Sequence, residues 1–261
     1  MSRARLDVAV AGGGVVGAAC ALALARAGLD VALVEARPVP RWLAEQPDLR
    51  VYALAPDNAA LLDALGVWPQ VVRARAQPYR KMRVWDAGGG DELAFDAATL
   101  ARDELGWIVE NGLLVDRLWA ALVAAGVQVH CPARVQGMEQ DEAGVRLQLD
   151  DGTRLEARVA VAADGGASEL RRLAGLDVDA HDYGQRGVVA FIETADPHQE
   201  TAWQRFLPTG PLALLQFTQG RSSIVWTLPE AEAQRVLALD DAAFALELTD
   251  ASAARLGRAQ P

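Results

Sequence analysis

The chain has 261 residues, of which 51% are hydrophobic and 23% are charged, a composition typical of a globular protein. A chain of this length can bury one large core or two modest ones. The formal net charge of −10 argues against nucleic acid as a main partner, because phosphate binding needs an excess of Lys and Arg. No stretch approaches about 18 uninterrupted apolar residues, so the sequence predicts no membrane-spanning helix.

The N-terminal region contains the pattern around which the rest is organised. Residues 8–11 form an apolar run typical of a buried strand, and residues 18–27, rich in Ala and Leu, predict a helix that ends at Gly28. Residues 31–34 predict a second buried strand, and Glu35 follows it. Strand, turn, helix and strand in this order predict a βαβ unit.

The turn between the first strand and the helix reads G-x-G-x-x-G, with Gly12, Gly14 and Gly17 in register. The first glycine permits a tight turn, the second leaves room for a pyrophosphate, and the third lets the helix pack against the strand. The N-terminus of the helix, which Val16 precedes, offers N–H groups to phosphates. Glu35 can accept both hydroxyls of an adenosine ribose. The context predicts a dinucleotide site; a glycine-rich turn of an unrelated α/β protein is the alternative.

A second motif, Asp164-Gly165 with Ser168 and Arg171, follows a strand predicted at 155–163. A carboxylate at a strand end can meet a polar ligand that lies along the strand tips of the βαβ unit. The alternative is a turn followed by a helix that Ser168 caps.

The remaining patterns predict a second, antiparallel region. Residues 145–149 and 155–161 flank an Asp-Gly turn and predict a hairpin, and a helix with Leu114, Leu118, Leu122 and Val123 on its apolar face precedes it. After Tyr183 four strand-like runs predict an antiparallel sheet, followed by a helical stretch at 231–248 that breaks near 239–240. The four runs are 188–192, 202–207, 212–217 and 223–228.

Together these motifs resemble the class A flavoprotein aromatic hydroxylases, the p-hydroxybenzoate hydroxylase-like family. The segments that carry the resemblance are Gly12 to Gly17 with Glu35, Asp48-Leu49-Arg50 before Ala53-Leu54, and Ala163-Asp164-Gly165 with Ser168 and Arg171. Further segments resemble the ubiquinone-biosynthesis hydroxylases, closest to bacterial members. These are Leu65-Gly66-Val67-Trp68, Tyr79-Arg80-Lys81, Val84-Trp85-Asp86, Val109-Glu110-Asn111, Tyr183-Gly184-Gln185 and Arg205-Phe206.

The resemblance implies FAD as the cofactor. It places Arg50 near the flavin, Asn111 at a polar flavin contact and the backbone of Val135 at the adenine. No metal site is expected, because the three histidines share no ligand spacing, and no residue is assigned as a catalytic acid or base. The predicted cofactor-binding residues are Gly12, Gly14, Val16, Gly17, Glu35, Arg50, Asn111, Val135, Asp164 and Gly165.

The fold class expected from the resemblance is α/β, with the glutathione-reductase-type FAD fold. A Rossmann-like FAD-binding domain with a parallel sheet would comprise residues 1–79 and 108–180. A substrate-binding domain with an antiparallel sheet would comprise residues 80–107 and 181–261. The family continues beyond the region matched by residues 255–257 with a Gly-Asp motif that contacts the ribityl chain, and this motif is not found here. The sequence therefore predicts a C-terminally truncated, flavin-poor form.

The activity implied is that of an FAD-dependent monooxygenase in ubiquinone biosynthesis, which hydroxylates the aromatic ring of a prenylated phenol or quinol through a flavin C4a-hydroperoxide. NAD(P)H or another reductant supplies electrons, and O2 is the second substrate. Another aromatic substrate and a non-catalytic scaffold subunit of the biosynthetic complex are the alternatives. A cytoplasmic location is expected, and association with a membrane surface, with that complex or with a second copy of the chain stays open.

Overall fold

A computed structural model describes residues 5–39 and 41–260, so the ends of the two predicted domains at 1–4 and 261 lie outside it. The strands are β1 (Leu6–Ala11), β2 (Val31–Val34), β3 (Val51–Leu54), β4 (Gln77–Tyr79), β5 (Lys81–Asp86), β6 (Leu93–Asp96), β7 (Gly106–Glu110), β8 (Gln128–His130), β9 (Val135–Asp141), β10 (Gly144–Leu149), β11 (Arg154–Ala162), β12 (Gln185–Thr194), β13 (Thr201–Leu207), β14 (Gly210–Gln216), β15 (Ser222–Pro229) and β16 (Ala259–Gln260). The α-helices are α1 (Val15–Arg26), α2 (Pro56–Ala64), α3 (Trp68–Arg75), α4 (Asn111–Ala124), α5 (Glu169–Leu173), α6 (Glu230–Leu237) and α7 (Asp241–Ala251).

The chain divides into two compact units, each built from three segments. The first unit consists of Met1–Gln46, Ala60–Ala74 and Asn111–Ala180, and the second of Pro47–Ala59, Arg75–Glu110 and His181–Pro261. The sequence-based boundaries put β3, β4 and most of β7 in the first domain. In the structure these strands form a sheet of their own in the order β3-β7-β4, and all three belong to the second unit.

The sheet of the first unit has the strand order β8-β2-β1-β11-β10-β9. Strands β8, β2, β1 and the second half of β11 run parallel, whereas β10 and β9 are antiparallel to their neighbours. Ala11 pairs with Val34 on one side and with Ala162 on the other. The carboxyl ends of β1, β2 and β11 therefore lie at the same edge, which is where open α/β sheets bind ligands.

Most of the elements predicted for the first unit are confirmed. The βαβ unit and the β10–β11 hairpin occur where the sequence indicated them. Strand β9 was not predicted, because its residues are half-buried or exposed and lack the apolar alternation of a strand with one buried face. The predicted apolar face of α4 was wrong at one position, since Leu114, Leu118 and Leu122 are fully buried but Val123 is 68% exposed.

The larger sheet of the second unit has the order β16-β12-β15-β14-β13-β5-β6. The pairs from β12 to β13 are antiparallel, as predicted, whereas β13 and β5 run parallel. One face of the sheet packs on α6 and α7 around a core that includes Leu212, Ile224 and Leu248. The helical stretch breaks where expected, because Asp240 caps α7 by accepting the N–H of Ala243 at 2.8 Å.

The opposite face of this sheet carries several exposed apolar side chains; we call it the open face. Side chains alternate along each strand, so the register aligns a cross-strand row on this face. Leu93 and Phe95 of β6 are 60% and 49% exposed, and Phe206 of β13 is 43% exposed. The row runs through Val189, Val225, Ala213, Gln204, Val84 and Leu93.

Candidate dinucleotide-binding site

The turn that follows β1 cannot carry side chains at two of its glycines. Gly12 has a φ of +102°, and a Cβ there would lie 2.2 Å from the carbonyl oxygen of Ala163. A Cβ on Gly17 would lie 2.0 Å from the carbonyl oxygen of Gly12. Both contacts are with backbone, which cannot rotate away, so glycine is required for β1, α1 and the end of β11 to approach this closely.

Gly14 differs from these two glycines, because the space in front of it is open. It is the N-cap of α1, and a Cβ on it would meet no heavy atom within 4 Å. A glycine offers no side-chain acceptor to the first turn, so the amides there are left for a ligand. Val16 lies in that turn and is 75% exposed. The helix N-terminus thus faces room that an anionic group such as a pyrophosphate could occupy.

Gly13, between the motif glycines, was missed by the sequence analysis. A Cβ there would lie 2.5 Å from Cζ2 of Trp119 and 3.0 Å from the Cβ of Glu35. The indole Nε1–H of Trp119, on α4, donates to the carbonyl oxygen of Gly13 at 2.8 Å. The buried side chain of Trp119 therefore holds the glycine turn in place. The run of three glycines was the available signal that the middle position is also crowded.

Glu35 stands at the end of β2 and turns its carboxylate toward the turn. Its Oε2 accepts the N–H of Gly13 at 2.6 Å, and its Oε1 accepts the N–H of Arg37 at 2.8 Å. Only 16% of the side chain is exposed. A carboxylate has about four lone-pair sites, so each oxygen can still accept a hydrogen bond from a ribose hydroxyl.

Asp164 uses its carboxylate within its own loop. Oδ1 accepts the hydroxyl of Ser168, and Oδ2 accepts the N–H of Leu170 at 3.1 Å. Ser168 is the N-cap of α5, and its Oγ accepts the N–H of Arg171 at 3.0 Å. The capped turn that the sequence left as an alternative is therefore present. Gly165, with a φ of +91°, lets the chain change direction before this capped turn.

A cavity of about 710 Å³ brings six of the ten predicted residues together at the carboxyl edge of the sheet. Its volume lies within the range of about 300–1,000 Å³ that is usual for small-molecule sites. Open space at Gly14, the helix N-terminus and an ordered carboxylate fit the diphosphate and ribose of an adenine dinucleotide. The six residues are Gly12, Gly14, Glu35, Val135, Asp164 and Gly165.

The other four predicted residues do not line this cavity. Gly17 is buried beneath the turn, and Val16 is exposed on α1. Asn111 is the first residue of α4. Arg50 belongs to the second unit, where its N–H donates to Oδ1 of Asp48 at 2.9 Å. Their roles in cofactor binding stay predictions.

Two further observations concern the described residues. Within residues 5–39 and 41–260, no three His, Cys, Asp or Glu side chains are grouped so that they could hold a metal ion. None of the helices in these ranges combines the length and the apolarity that a membrane crossing requires.

The fold and the cavity define a dinucleotide-binding α/β protein with a second, largely antiparallel unit. Residues 5–235 match the family model described as FAD binding domain. The chain is 33% identical over 263 residues to the 3-demethoxyubiquinol 3-hydroxylase of Escherichia coli, covering all of this chain and 67% of that protein. It is 33% identical over 258 residues to the human mitochondrial ubiquinone biosynthesis monooxygenase COQ6, covering 91% of this chain and 54% of that protein.

Solved structures share the fold. PqsL, described as a probable FAD-dependent monooxygenase from Pseudomonas aeruginosa, superposes with a TM-score of 0.79 at 24% identity, covering 98% of this chain and 72% of that one. The p-nitrophenol 4-monooxygenase PnpA from Pseudomonas putida gives 0.73 at 24% identity over 89% and 61%. The chain therefore belongs to the FAD-binding-domain family of the ubiquinone-biosynthesis hydroxylases. It spans 67% and 54% of the lengths of the two curated relatives named above.

Proposed function

We propose that this chain is part of a monooxygenase that uses FAD to hydroxylate the ring of a prenylated phenol or quinol in ubiquinone biosynthesis. The observation that carries the proposal is the pairing, in one cavity, of open space at Gly14 with the ordered carboxylate of Glu35. The two named relatives, both ubiquinone-pathway hydroxylases or monooxygenases, support the substrate class.

Different residues of the first unit bind different parts of FAD. The N-terminal amides of α1, beside Gly14 and Val16, hold the pyrophosphate, and Glu35 accepts the ribose hydroxyls. The backbone of Val135 meets the adenine. Bound FAD supplies the transfer of electrons from NAD(P)H or another reductant to O2. Asp164 shapes the cavity through the capped turn before α5 and leaves Gly165 facing the ligand.

The second unit provides the surface for the substrate. The open face exposes large apolar side chains on β6 and β13, and exposed apolar surface of this kind is what an apolar ligand would cover. Gln204 is the polar member of the cross-strand row. A prenylated ring presents this chemistry, a long apolar chain with a few polar groups. The division of the chain into FAD binding by residues 1–79 and 108–180 and substrate binding by residues 80–107 and 181–261 rests on the family resemblance and is kept here as a proposal.

A competition titration tests the cofactor assignment. FAD is titrated by quenching of its fluorescence, and ADP and FMN are added as competitors. Because the cavity fits the adenosine diphosphate half, ADP should compete with FAD and FMN should compete poorly. Glu35→Gln removes the charge and one strong acceptor, so it should weaken FAD and ADP alike, by about tenfold, which corresponds to about 1.4 kcal/mol.

Glu139→Gln is the matched control, since Glu139 is a 77% exposed carboxylate of the same unit outside the cavity. It should leave both affinities unchanged. An ADP that fails to compete, or a Glu35→Gln variant that binds as tightly as the parent, would overturn the cofactor assignment. The substrate class is tested separately, by asking whether expression restores ubiquinone in a strain that lacks the corresponding hydroxylase. Continued accumulation of a precursor that lacks one ring hydroxyl would contradict it.

A further inference from the structure

The first unit has a second cavity, which shares no residue with the dinucleotide cavity. It measures about 640 Å³ and is bordered by α3, α4 and the loop that follows β2. Two arginines line it, Arg73 and Arg117, and among the described residues no Asp or Glu does. In a chain whose net charge is −10, a cavity lined by cations without carboxylates favours an anionic ligand.

One wall of this cavity is ordered by contacts within the unit. The guanidinium of Arg117, on α4, pairs with the carboxylate of Asp116, and its central carbon lies 5.4 Å from the centre of the Trp42 ring. Oδ1 of Asp116 also accepts the N–H of Trp42 at 3.4 Å. The indole and the planar guanidinium are therefore held before a ligand arrives, which lowers the entropic cost of binding.

The net positive charge comes from two other arginines, since Asp116 offsets the charge of Arg117. Arg73 and Arg26 form no ion pair within residues 5–39 and 41–260. Arg26, the last residue of α1, reaches the cavity at Gly66, where a Cβ would lie 3.0 Å from its Nη2. Guanidinium groups without carboxylate partners can bind phosphate through charge-assisted hydrogen bonds.

We propose that this cavity binds a nucleotide, whose phosphate is held by Arg73 and Arg26 and whose base lies beside Trp42. Aromatic rings and guanidinium planes are the surfaces on which bases stack. The amide of Gln70, which also lines the cavity, offers a donor and an acceptor to a base edge. The volume lies within the usual range of small-molecule sites. The proposal is independent of FAD, because it uses no residue of the dinucleotide cavity.

Two indole N–H groups can report on the two cavities separately. Nε1 of Trp119 donates to the carbonyl oxygen of Gly13 in the glycine turn, whereas Trp42 lines the second cavity. The test is a titration with 5′-AMP followed by the assigned indole signals in ¹H–¹⁵N spectra. The Trp42 signal should shift to saturation. Adenosine lacks the phosphate and inorganic phosphate lacks the base, so each should need at least about tenfold higher concentrations.

The decisive variant is Arg73→Gln, which removes one charge from an exposed side chain and should leave the protein folded. It should weaken 5′-AMP at Trp42 by about tenfold and leave the midpoint at Trp119 unchanged. Glu35→Gln should do the opposite. Arg154→Gln is the matched control, because Arg154 is an exposed arginine of the same unit outside both cavities. It should change neither midpoint.

A Trp42 signal that does not respond to 5′-AMP, or that responds with the same midpoint in Arg73→Gln, would overturn the proposal. Adenosine that binds as tightly as 5′-AMP would remove the role of the arginines, and inorganic phosphate that does so would remove the role of the base. Either result would also overturn it. Because Trp119 follows the dinucleotide cavity in the same titration, a failure of the proposed function appears there and not at Trp42.

Discussion

The glycine turn of the first unit and the buried ion pair of Arg75 and Glu110 in the second unit are organised in opposite ways. The turn is built from one contiguous stretch, and its demands fall on the backbone at Gly12 and Gly17. The ion pair is built from side chains that four separate segments bring together, around Glu110. Requirements on a local backbone leave a fixed spacing in the sequence, whereas convergence of distant side chains leaves none.

The largest expected loss of stability comes from a substitution in the glycine turn, where the requirement falls on the backbone. Gly17→Ala places a methyl group 2.0 Å from the carbonyl oxygen of Gly12, and neither backbone can move without separating α1 from β1. The free energy of unfolding should fall by at least about 3 kcal/mol, or the protein should fail to fold. Urea denaturation followed by far-UV circular dichroism measures this.

Gly14→Ala is the matched control, because its methyl group enters open space. The substitution should lower the free energy of unfolding by less than about 1 kcal/mol, the scale of an N-cap change. It should nevertheless weaken FAD, since the methyl group takes room that we assign to the pyrophosphate. Equal destabilisation by Gly17→Ala and Gly14→Ala would remove the distinction between a packing glycine and a ligand-facing glycine.

The same distinction explains which site residues could be predicted from the sequence and which could not. Spacing identified Gly12, Gly14 and Glu35, which the structure brings to one cavity, because each answers a local geometric need. It did not identify Trp119, since a tryptophan on an apolar helix face predicts only core packing. Glu110 entered the sequence analysis only as part of a family motif, and its burial depends on Arg75 and on a tertiary core that no local pattern encodes.

A smaller loss of stability is expected when Arg255, whose side chain contacts several others at the surface of the second unit, is substituted. The guanidinium carbon of Arg255 lies 4.9 Å from the ring centre of Trp85 and 5.0 Å from that of Trp203, and the group also pairs with Glu92. Arg255→Ala should lower the free energy of unfolding by about 1–2 kcal/mol, a figure that already discounts its 38% exposure.

Arg255→Lys separates the two contributions. It keeps the charge near Glu92 but loses the planar group that faces the rings, so it should recover less than half of the lost stability. Urea denaturation midpoints of the three proteins provide the comparison. Full recovery with Lys would mean that the charge alone matters and that the aromatic contacts add nothing.

The smallest effect is a dependence of stability on pH at His198 in the second unit. Burial lowers the pKa of this imidazole below its usual 6.5, although a hydrogen bond to the backbone of Phe217 and the negative charge of Glu200 act in the opposite direction. Its Nδ1 accepts the N–H of Glu200 at 3.2 Å, a bond that protonation of Nδ1 abolishes. Because the pKa is lower in the folded state, the neutral form is favoured by folding. The stabilisation is therefore complete above pH 6.5 and is lost as the pH falls through the lowered pKa.

For this half-exposed group the loss should stay below about 1 kcal/mol. The denaturation midpoint should fall more between pH 7.5 and pH 5 in the parent protein than in His198→Gln, whose amide does not titrate. The carboxylates and the other histidines titrate in both proteins alike. The difference between the two proteins in how the denaturation midpoint changes with pH therefore isolates His198. Identical slopes would show that the imidazole is as solvated in the folded chain as in the unfolded one. The packing that surrounds His198 would then have no electrostatic consequence, unlike the packing around the buried pair at Glu110.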